Sequence, residues 1–63
     1  MKIIRPKIIG TLKIEEMMAG SFAVCNDINN ASNKIIIPCR SVEHGEGIIN
    51  KIKFSKPGEI IYL

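Results

Sequence analysis

The residues best suited to chemistry in this sequence are two cysteines and its single histidine. Cys39 and His44 are five positions apart, and Cys25 lies fourteen residues before Cys39. A zinc site needs a fourth ligand and usually contains a close pair such as C-x2-C, which this chain lacks. A Cys–His nucleophilic pair needs an orienting group and a cleft, which 63 residues are too few to build without oligomerising. We therefore predict no catalytic site, no metal, no cofactor and no small-molecule substrate.

The two glycines in His44-Gly45-Glu46-Gly47 are the second chemical candidate, as a loop that holds phosphate. G-x-G alone is a weak signal, we expect no helix to begin after it, and Glu46 repels a phosphate group. The simpler prediction is a polar loop over 40–47 that turns the chain into the next strand.

Basic side chains form the one pattern in the sequence that predicts a function. Nine Lys and Arg against six Asp and Glu give a net charge of +3, and residues 1–13 contain four bases and no acid. A second basic cluster comprises Lys51, Lys53 and Lys56. On a β surface such residues line a nucleic-acid backbone, and this electrostatic attraction supplies nearly all non-specific binding. The predicted nucleic-acid-binding residues, all facing outward, are Arg5, Lys7, Lys13, Lys51 and Lys53.

Base stacking requires aromatic side chains beside these charges. The chain has three, Phe22, Phe54 and Tyr62. We expect both phenylalanines in the core, which leaves Tyr62 free and favours contact with a duplex or a backbone over a stacking platform.

Cellular location decides whether the two cysteines pair. The segment Met1 to Lys7 contains charges where a signal peptide has an unbroken apolar stretch, and no apolar run approaches the ~20 residues that cross a bilayer. We therefore expect a cytoplasmic protein without membrane contact, in which Cys25 and Cys39 are free thiols that behave as small buried apolar side chains.

The elements that must position these residues are predicted to be strands, because isoleucine dominates the apolar set and its branched side chain suits a pleated sheet. The interval 14–25 fits both helical and strand spacing, and we interpret it as a turn or short helix at 14–19 followed by a strand. Strands are predicted over 2–9, 21–25, 34–37, 48–54 and 59–63.

Alternation within these strands assigns their faces. One face of the segment 4–14 is assigned the apolar residues Ile4, Ile8, Leu12 and Ile14, and the other face is assigned Arg5, Lys7, Thr11 and Lys13. In the strand at 48–54 the same rule directs Ile48, Ile52 and Phe54 to the core and directs Lys51 and Lys53 outward.

Turn residues separate the predicted strands. An asparagine-rich loop is expected at 26–33, and Ser55-Lys56-Pro57-Gly58 has the Pro-Gly order of a type II turn before a C-terminal hairpin. Pro6 and Pro38 cannot donate a ladder hydrogen bond, so they indicate edge strands or strand ends.

Together these features predict one small domain over 1–63. With 46% hydrophobic and 24% charged residues the chain is too apolar to be disordered. Five short strands with regular turns favour an all-β or β-rich α+β fold: a small five-stranded, barrel-like antiparallel sheet with at most one short helix. A core of this size supplies only ~3–5 kcal/mol, so a partner subunit often adds stability.

The sequence thus predicts a non-enzymatic binding module that contacts nucleic-acid backbone through a basic β face. The alternative is a protein-interaction module, such as a small inhibitor, an adaptor or a subunit of an oligomeric complex, that docks through an apolar edge strand. A protein partner or a second copy of the chain is expected at that edge. The predicted interface residues are Ile60, Ile61, Tyr62 and Leu63.

Overall fold

Five antiparallel strands and one α-helix make up the structure, a computed structural model that describes residues 1–63. The elements are β1 (Lys2–Ile4), β2 (Thr11–Met18), β3 (Ser21–Asp27), a 3-10 turn (Ala31–Asn33), β4 (Ile36–Cys39), α1 (Val42–Lys53) and β5 (Ile60–Tyr62). The strands form a three-stranded sheet in the order β2-β3-β4 and a two-stranded ribbon of β1 and β5. The β-rich α+β class with five antiparallel strands is confirmed, but the strands lie in two sheets and no closed barrel is formed.

The first half of the large sheet is a hairpin of β2 and β3. The strand predicted at 21–25 is confirmed and extends to Asp27, so the loop predicted at 26–33 begins only at Ile28. The turn or short helix predicted at 14–19 is wrong, because β2 continues through Met18. Pairing of β2 with β3 along most of its length decides an interval whose local spacing fits both structures. Gly20, with a φ of +79°, supplies the tight turn between the strands.

Helix α1 is the main departure from the sequence prediction, since it replaces both the loop predicted at 40–47 and the strand predicted at 48–54. Ser41 caps its N-terminus, and the Ser41 Oγ accepts a hydrogen bond from the backbone N–H of His44 at 3.1 Å. No helix in the structure is long and apolar enough to span a bilayer.

The sequence pattern of α1 misleads for a definable reason. Ile48 and Ile52, both buried, are four positions apart, which puts them on one face of a helix and also on one face of a strand. Gly45 and Gly47 are poor helix formers, so their presence favours a loop. The capping serine at position 41 is the local signal that indicates the helix.

Gly45 is where the helix approaches the sheet most closely. A Cβ built on Gly45 would lie 3.0 Å from the Sγ of Cys39 and 3.0 Å from the Cδ1 of Ile14, whereas one built on Gly47 would meet no atom within 4 Å. The absence of a side chain at position 45 therefore lets α1 lie directly on β2 and β4.

The core fills the space between α1, the inner face of the large sheet and the β1–β5 ribbon. Leu12 and Ile14 pack against it, and Ile48 and Ile52 belong to it, as predicted. Phe54 was expected in the core and is instead 87% exposed, because it lies about 200° around the helix from Ile52. The buried cluster comprises Val24, Ile35, Ile37, Cys39, Ile48, Ile52 and Ile61.

The face assignment of the first predicted strand, 2–9, is wrong at both of its apolar even positions. Ile4 and Ile8 are exposed, and Ile3 and Ile9 pack against the core in their place. The strand ends at Ile4, before Pro6, so one alternation cannot continue through the proline.

The ribbon is joined to the helix by the type II turn predicted from Pro57 and Gly58. The N–H of Glu59 donates to the carbonyl of Lys56 at 3.0 Å, and Gly58 has a φ of +83°, as this turn requires. The predicted C-terminal hairpin is wrong, because β5 pairs with β1 and the residues before the turn are helical.

Pro38 lies in an edge strand as predicted, since β4 is the last strand of its sheet, but the strand predicted at 34–37 lies at 36–39 and continues through the proline. Pro6 follows the end of β1, in agreement with the predicted strand end. In β4, Pro38 is opposite Ala23 of β3. At this position the backbone N–H of β4 would point away from β3, so the proline does not interrupt the hydrogen-bond ladder.

Asn26 is the one buried polar side chain, and it fastens the asparagine-rich loop to β3. Its Nδ2 donates to the carbonyl of Asn33 and its Oδ1 accepts from the N–H of Ile35, both at 2.8 Å. The carbonyl of Asn26 accepts from the Nζ of Lys34 at 3.2 Å. One amide thus satisfies two backbone groups that the turn into β4 would otherwise leave without partners.

The two helix glycines provide a matched test of this packing. Gly47→Ala is expected to stabilise the fold by about 1 kcal/mol, since alanine favours a helix and meets open space. Gly45→Ala has the same helix-favouring effect, but its methyl group crowds Ile14 and Cys39, which should lower the free energy of unfolding by about 1–3 kcal/mol. Urea unfolding should therefore rank Gly47→Ala above Gly45→Ala. The reverse order would show that α1 does not contact the sheet at position 45.

Asn26→Ala is expected to lower the free energy of unfolding by about 2–3 kcal/mol, because it leaves two backbone groups unsatisfied. Asn29→Ala is the control: it removes an exposed asparagine from the same loop and should change stability by less than about 0.5 kcal/mol. Equal effects in urea unfolding would contradict the role of Asn26.

Candidate nucleic-acid interface

The structure places the two cysteines, considered with His44 as a chemical site, on opposite faces of the large sheet. Cys39 belongs to the core on the inner face of the large sheet, whereas Cys25 faces the outer side, beside Ile36. The Nδ1 of His44 accepts a hydrogen bond from the N–H of Arg40 at 3.0 Å, next to the start of α1. No group of three or more His, Cys, Asp or Glu side chains is placed to hold a metal ion.

Both thiols are free and buried. Burial raises the pKa of the Cys25 thiol, and the nearby Glu15 carboxylate raises it further. A thiol with a raised pKa stays protonated at neutral pH and is a slow nucleophile. Cys25 therefore serves as a small packed side chain.

Arg5 connects the N-terminal segment to the last turn of α1. Its guanidinium donates to three carbonyls: Nε to Ile52 at 3.5 Å, and Nη1 to Pro6 at 2.6 Å and to Lys7 at 3.4 Å. Its backbone N–H also donates to the carbonyl of Glu59 at 2.8 Å. Arg5 thus brings a positive charge to the helix C-terminus, where the helix dipole favours it, and holds the chain there.

Lys51 and Lys53 lie in the last turn of α1 and not on a strand, so the outward strand phase from which they were predicted is wrong. The Nζ of Lys51 donates to the carbonyl of Tyr62 at 3.2 Å, while Lys53 is exposed. Lys7 is exposed beside Arg5 and lines the same shallow cleft. Four of the five predicted basic residues are therefore gathered around the C-terminal end of the helix.

Two further lysines join this group. Lys56 is in the turn after α1, and Lys2 is opposite Tyr62 in the ribbon. Two acids lie near them: Glu59, whose Oε1 accepts a hydrogen bond from the N–H of Lys56 at 2.9 Å, and Glu43, which lines one cleft with Lys51. None of these lysines or Arg5 is in an ion pair. We call the group the basic end: Lys2, Arg5, Lys7, Lys51, Lys53 and Lys56.

Lys13, the fifth predicted residue, is not part of the basic end. It faces outward from β2, on the side of the large sheet away from α1, and its Nζ lies 3.1 Å from the Oε1 of Glu15. That hydrogen-bonded carboxylate, with a contribution from Asp27, raises the pKa of Lys13. The surroundings of Lys13 are therefore mixed in charge.

Two of the three aromatic side chains are exposed within the basic end. Phe54 follows Lys53 directly at the C-cap of α1, and Tyr62 is 69% exposed beside Lys2 on the ribbon. Phe54 was not predicted from the sequence, because residues 48–54 have a spacing that also fits a strand. The overlooked signal is the order Lys53-Phe54-Ser55-Lys56, an aromatic residue between two cations.

The C-terminal segment predicted as a protein interface is only partly available. Ile61 is buried in the core and Leu63 packs against it, because β5 pairs with β1. Ile60 and Tyr62 point outward, where Ile60 lies opposite the exposed Ile4.

Comparison with known proteins assigns the chain to no family. No protein-family model matches the sequence, no curated protein matches it, and no solved structure matches the fold. A function for this chain is therefore inferred from its own residues and their geometry.

Proposed function

We propose that this chain is a non-enzymatic nucleic-acid-binding module that contacts single strands through the basic end. The observation that carries the proposal is a set of six cations linked by neighbouring contacts, with two acids near them and with two exposed aromatic side chains beside Lys53 and Lys2. Phosphates interact with the cations regardless of sequence, and unpaired bases stack on exposed rings.

The cations of the basic end favour a polyanion because the fold leaves them without neutralising contacts. The structure has one ion pair, Lys13 with Glu15, and it lies on the far side of the large sheet. Lys53 and Lys56 are exposed, so a phosphate reaches them without displacing a protein partner. Contact with all six cations corresponds to a slope of about −4 in a plot of log affinity against log salt for a single strand.

The exposed aromatic residues decide between a single strand and a duplex. A duplex keeps its bases stacked inside, so a protein ring has no base face to contact, whereas a single strand offers one at every nucleotide. Phe54 is 87% exposed at the end of a helix that is otherwise capped and packed, which leaves this ring free to meet a base. Exposure of Phe54 therefore favours a single strand over the duplex contact expected from sequence.

Removing exposed lysines tests the electrostatic part of the proposal. The double variant Lys53→Ala, Lys56→Ala should weaken binding to every sequence and flatten the salt slope by about 1.4, since each lost contact contributes about 0.7. Lys13→Ala, on the opposite side of the sheet, is the control and should leave affinity and slope unchanged. The measurement is fluorescence anisotropy with a labelled thymidine 20-mer over a range of salt concentrations.

A parent protein that does not bind the 20-mer near physiological salt would contradict the proposal. Equal losses for the double variant and for Lys13→Ala would contradict the location of the site.

Phe54→Ala tests stacking separately from charge. It should cost about 1–3 kcal/mol of binding free energy on the single strand and leave the weaker binding to a duplex of equal length unchanged. Phe54→Tyr, which retains a ring, should bind as the parent does. Anisotropy against both oligonucleotides gives the comparison, and an equal loss on strand and duplex would rule out stacking.

The second candidate function is protein interaction through the outer face of the β1–β5 ribbon. Ile4 and Ile60 are cross-strand neighbours there, 70% and 49% exposed, and both line a small groove with Lys2. This exposed apolar pair lies at one end of the ribbon, and contiguous exposed apolar surface is a feature of docking sites. If the parent protein fails to bind nucleic acid, protein interaction becomes the favoured function.

A further inference from the structure

The outer edge of β2 is the longest open strand edge in the protein. The elements packed against β2 are β3, along one edge, and α1, against one face. The opposite edge of the same sheet is β4, which has four residues and includes Pro38. β2 has eight residues and no proline, and its pairing with β3 is regular from Thr11 to Glu16, before a register shift at Met17. It therefore offers a longer row of open backbone groups than β4 does.

The pairing of Pro38 shows which backbone groups of β3 point in which direction. Pro38 has no N–H, so its pairing with Ala23 is a non-hydrogen-bonded one. The N–H and C=O of Ala23 therefore point toward β2, and those of its neighbour Val24 point toward β4. The carbonyl of Asn26, in the same phase as Val24, confirms this by accepting from Lys34 beside β4.

The same alternation fixes the phase of β2. Ile14 is opposite Val24, so its N–H and C=O point away from β3, toward the open edge. Leu12 and Glu16 share this phase, whereas the backbone groups of Lys13 and Glu15 are used in the ladder with β3. No other backbone hydrogen bond in the chain involves the open groups of Leu12, Ile14 or Glu16.

We propose that two copies of this chain pair antiparallel along β2, with the two-fold axis at Ile14. This register places Ile14 opposite the partner's Ile14 and Leu12 opposite the partner's Glu16. All three open residues then exchange backbone bonds, which gives about six hydrogen bonds between the copies. The two sheets become one sheet of six strands, with both helices on the same side.

Charge selects this register over its neighbours. Lys13 and Glu15 are exposed on the outer face of β2, and centring on Ile14 puts Lys13 opposite the partner's Glu15 and Glu15 opposite the partner's Lys13. The nearest registers that keep the open backbone groups paired have the two-fold axis at Lys13 or at Glu15. They place Lys13 opposite the partner's Lys13, or Glu15 opposite the partner's Glu15, and such pairs of like charges are unfavourable. In this register the outward charges of β2 complement those of an identical strand. A second copy of the chain is therefore the partner that fits the open edge of β2.

The contact also closes on itself. A two-fold pairing uses the β2 edge of both copies, so it ends at a dimer and does not extend into a fibre. The dimer leaves the basic end of each copy free, because that end is formed by β1, the turn after α1 and the helix C-terminus. The proposal thus stands independently of nucleic-acid binding.

The test is the mass of nuclease-treated protein by sedimentation equilibrium between about 1 and 200 µM, where a dimer is twice 7.0 kDa. Lys13→Glu places acid opposite acid at two symmetric positions and should raise the dimer dissociation constant about tenfold. Lys7→Glu changes the charge equally, away from β2, and should have no effect. The exchanged variant Lys13→Glu, Glu15→Lys restores complementarity and should dimerise as the parent does.

Amide hydrogen exchange reads the register directly in the unmodified protein. The N–H groups of Leu12, Ile14 and Glu16 should become protected as protein concentration rises, while Lys13 and Glu15 should be protected at every concentration. A parent that stays at 7.0 kDa throughout overturns the proposal. So does a dimer in which Lys13→Glu has the effect of Lys7→Glu, or in which exchange at Ile14 does not depend on concentration.

Discussion

The structure depends on the packing of α1 directly on the inner face of the three-stranded sheet. Contact of Gly45 with Ile14 and Cys39 sets the height of the helix above the sheet. Ile48 and Ile52 follow at one-turn spacing and complete the buried face. In a domain of 63 residues this layer of contacts contributes to the single buried cluster, around which the strands and the ribbon are arranged.

The direction of the helix also distributes the charges of the protein. Its N-terminal half contains two acids, Glu43 and Glu46, and its last turn contains Lys51 and Lys53. The helix dipole favours both arrangements. Because Arg5 hydrogen-bonds the last turn, the basic N-terminal segment is held at the same end, and cations that are distant in sequence become neighbours.

The strand edges are treated differently at the two sides of the sheet. β4 is short and includes a proline, which is a common means of preventing strand addition. β2 has neither protection, and its two outward charges are of opposite sign, so they do not repel an identical strand. These features are the basis of the proposed pairing of two copies along β2.

The sequence by itself determined the β-rich character, the type II turn at Pro57-Gly58, the asparagine-rich loop and the edge position of Pro38, because each depends on local backbone chemistry. It did not determine α1, since Ile48 and Ile52 satisfy the period of a helix and of a strand alike. Tertiary structure decided that choice: a helix covers the inner face of the sheet, which would otherwise expose Val24 and Ile37. The helix also decided the exposure of Phe54, because position 54 points away from the buried face. It decided the grouping of the basic residues as well, because its last turn contacts Arg5 and the C-terminal strand.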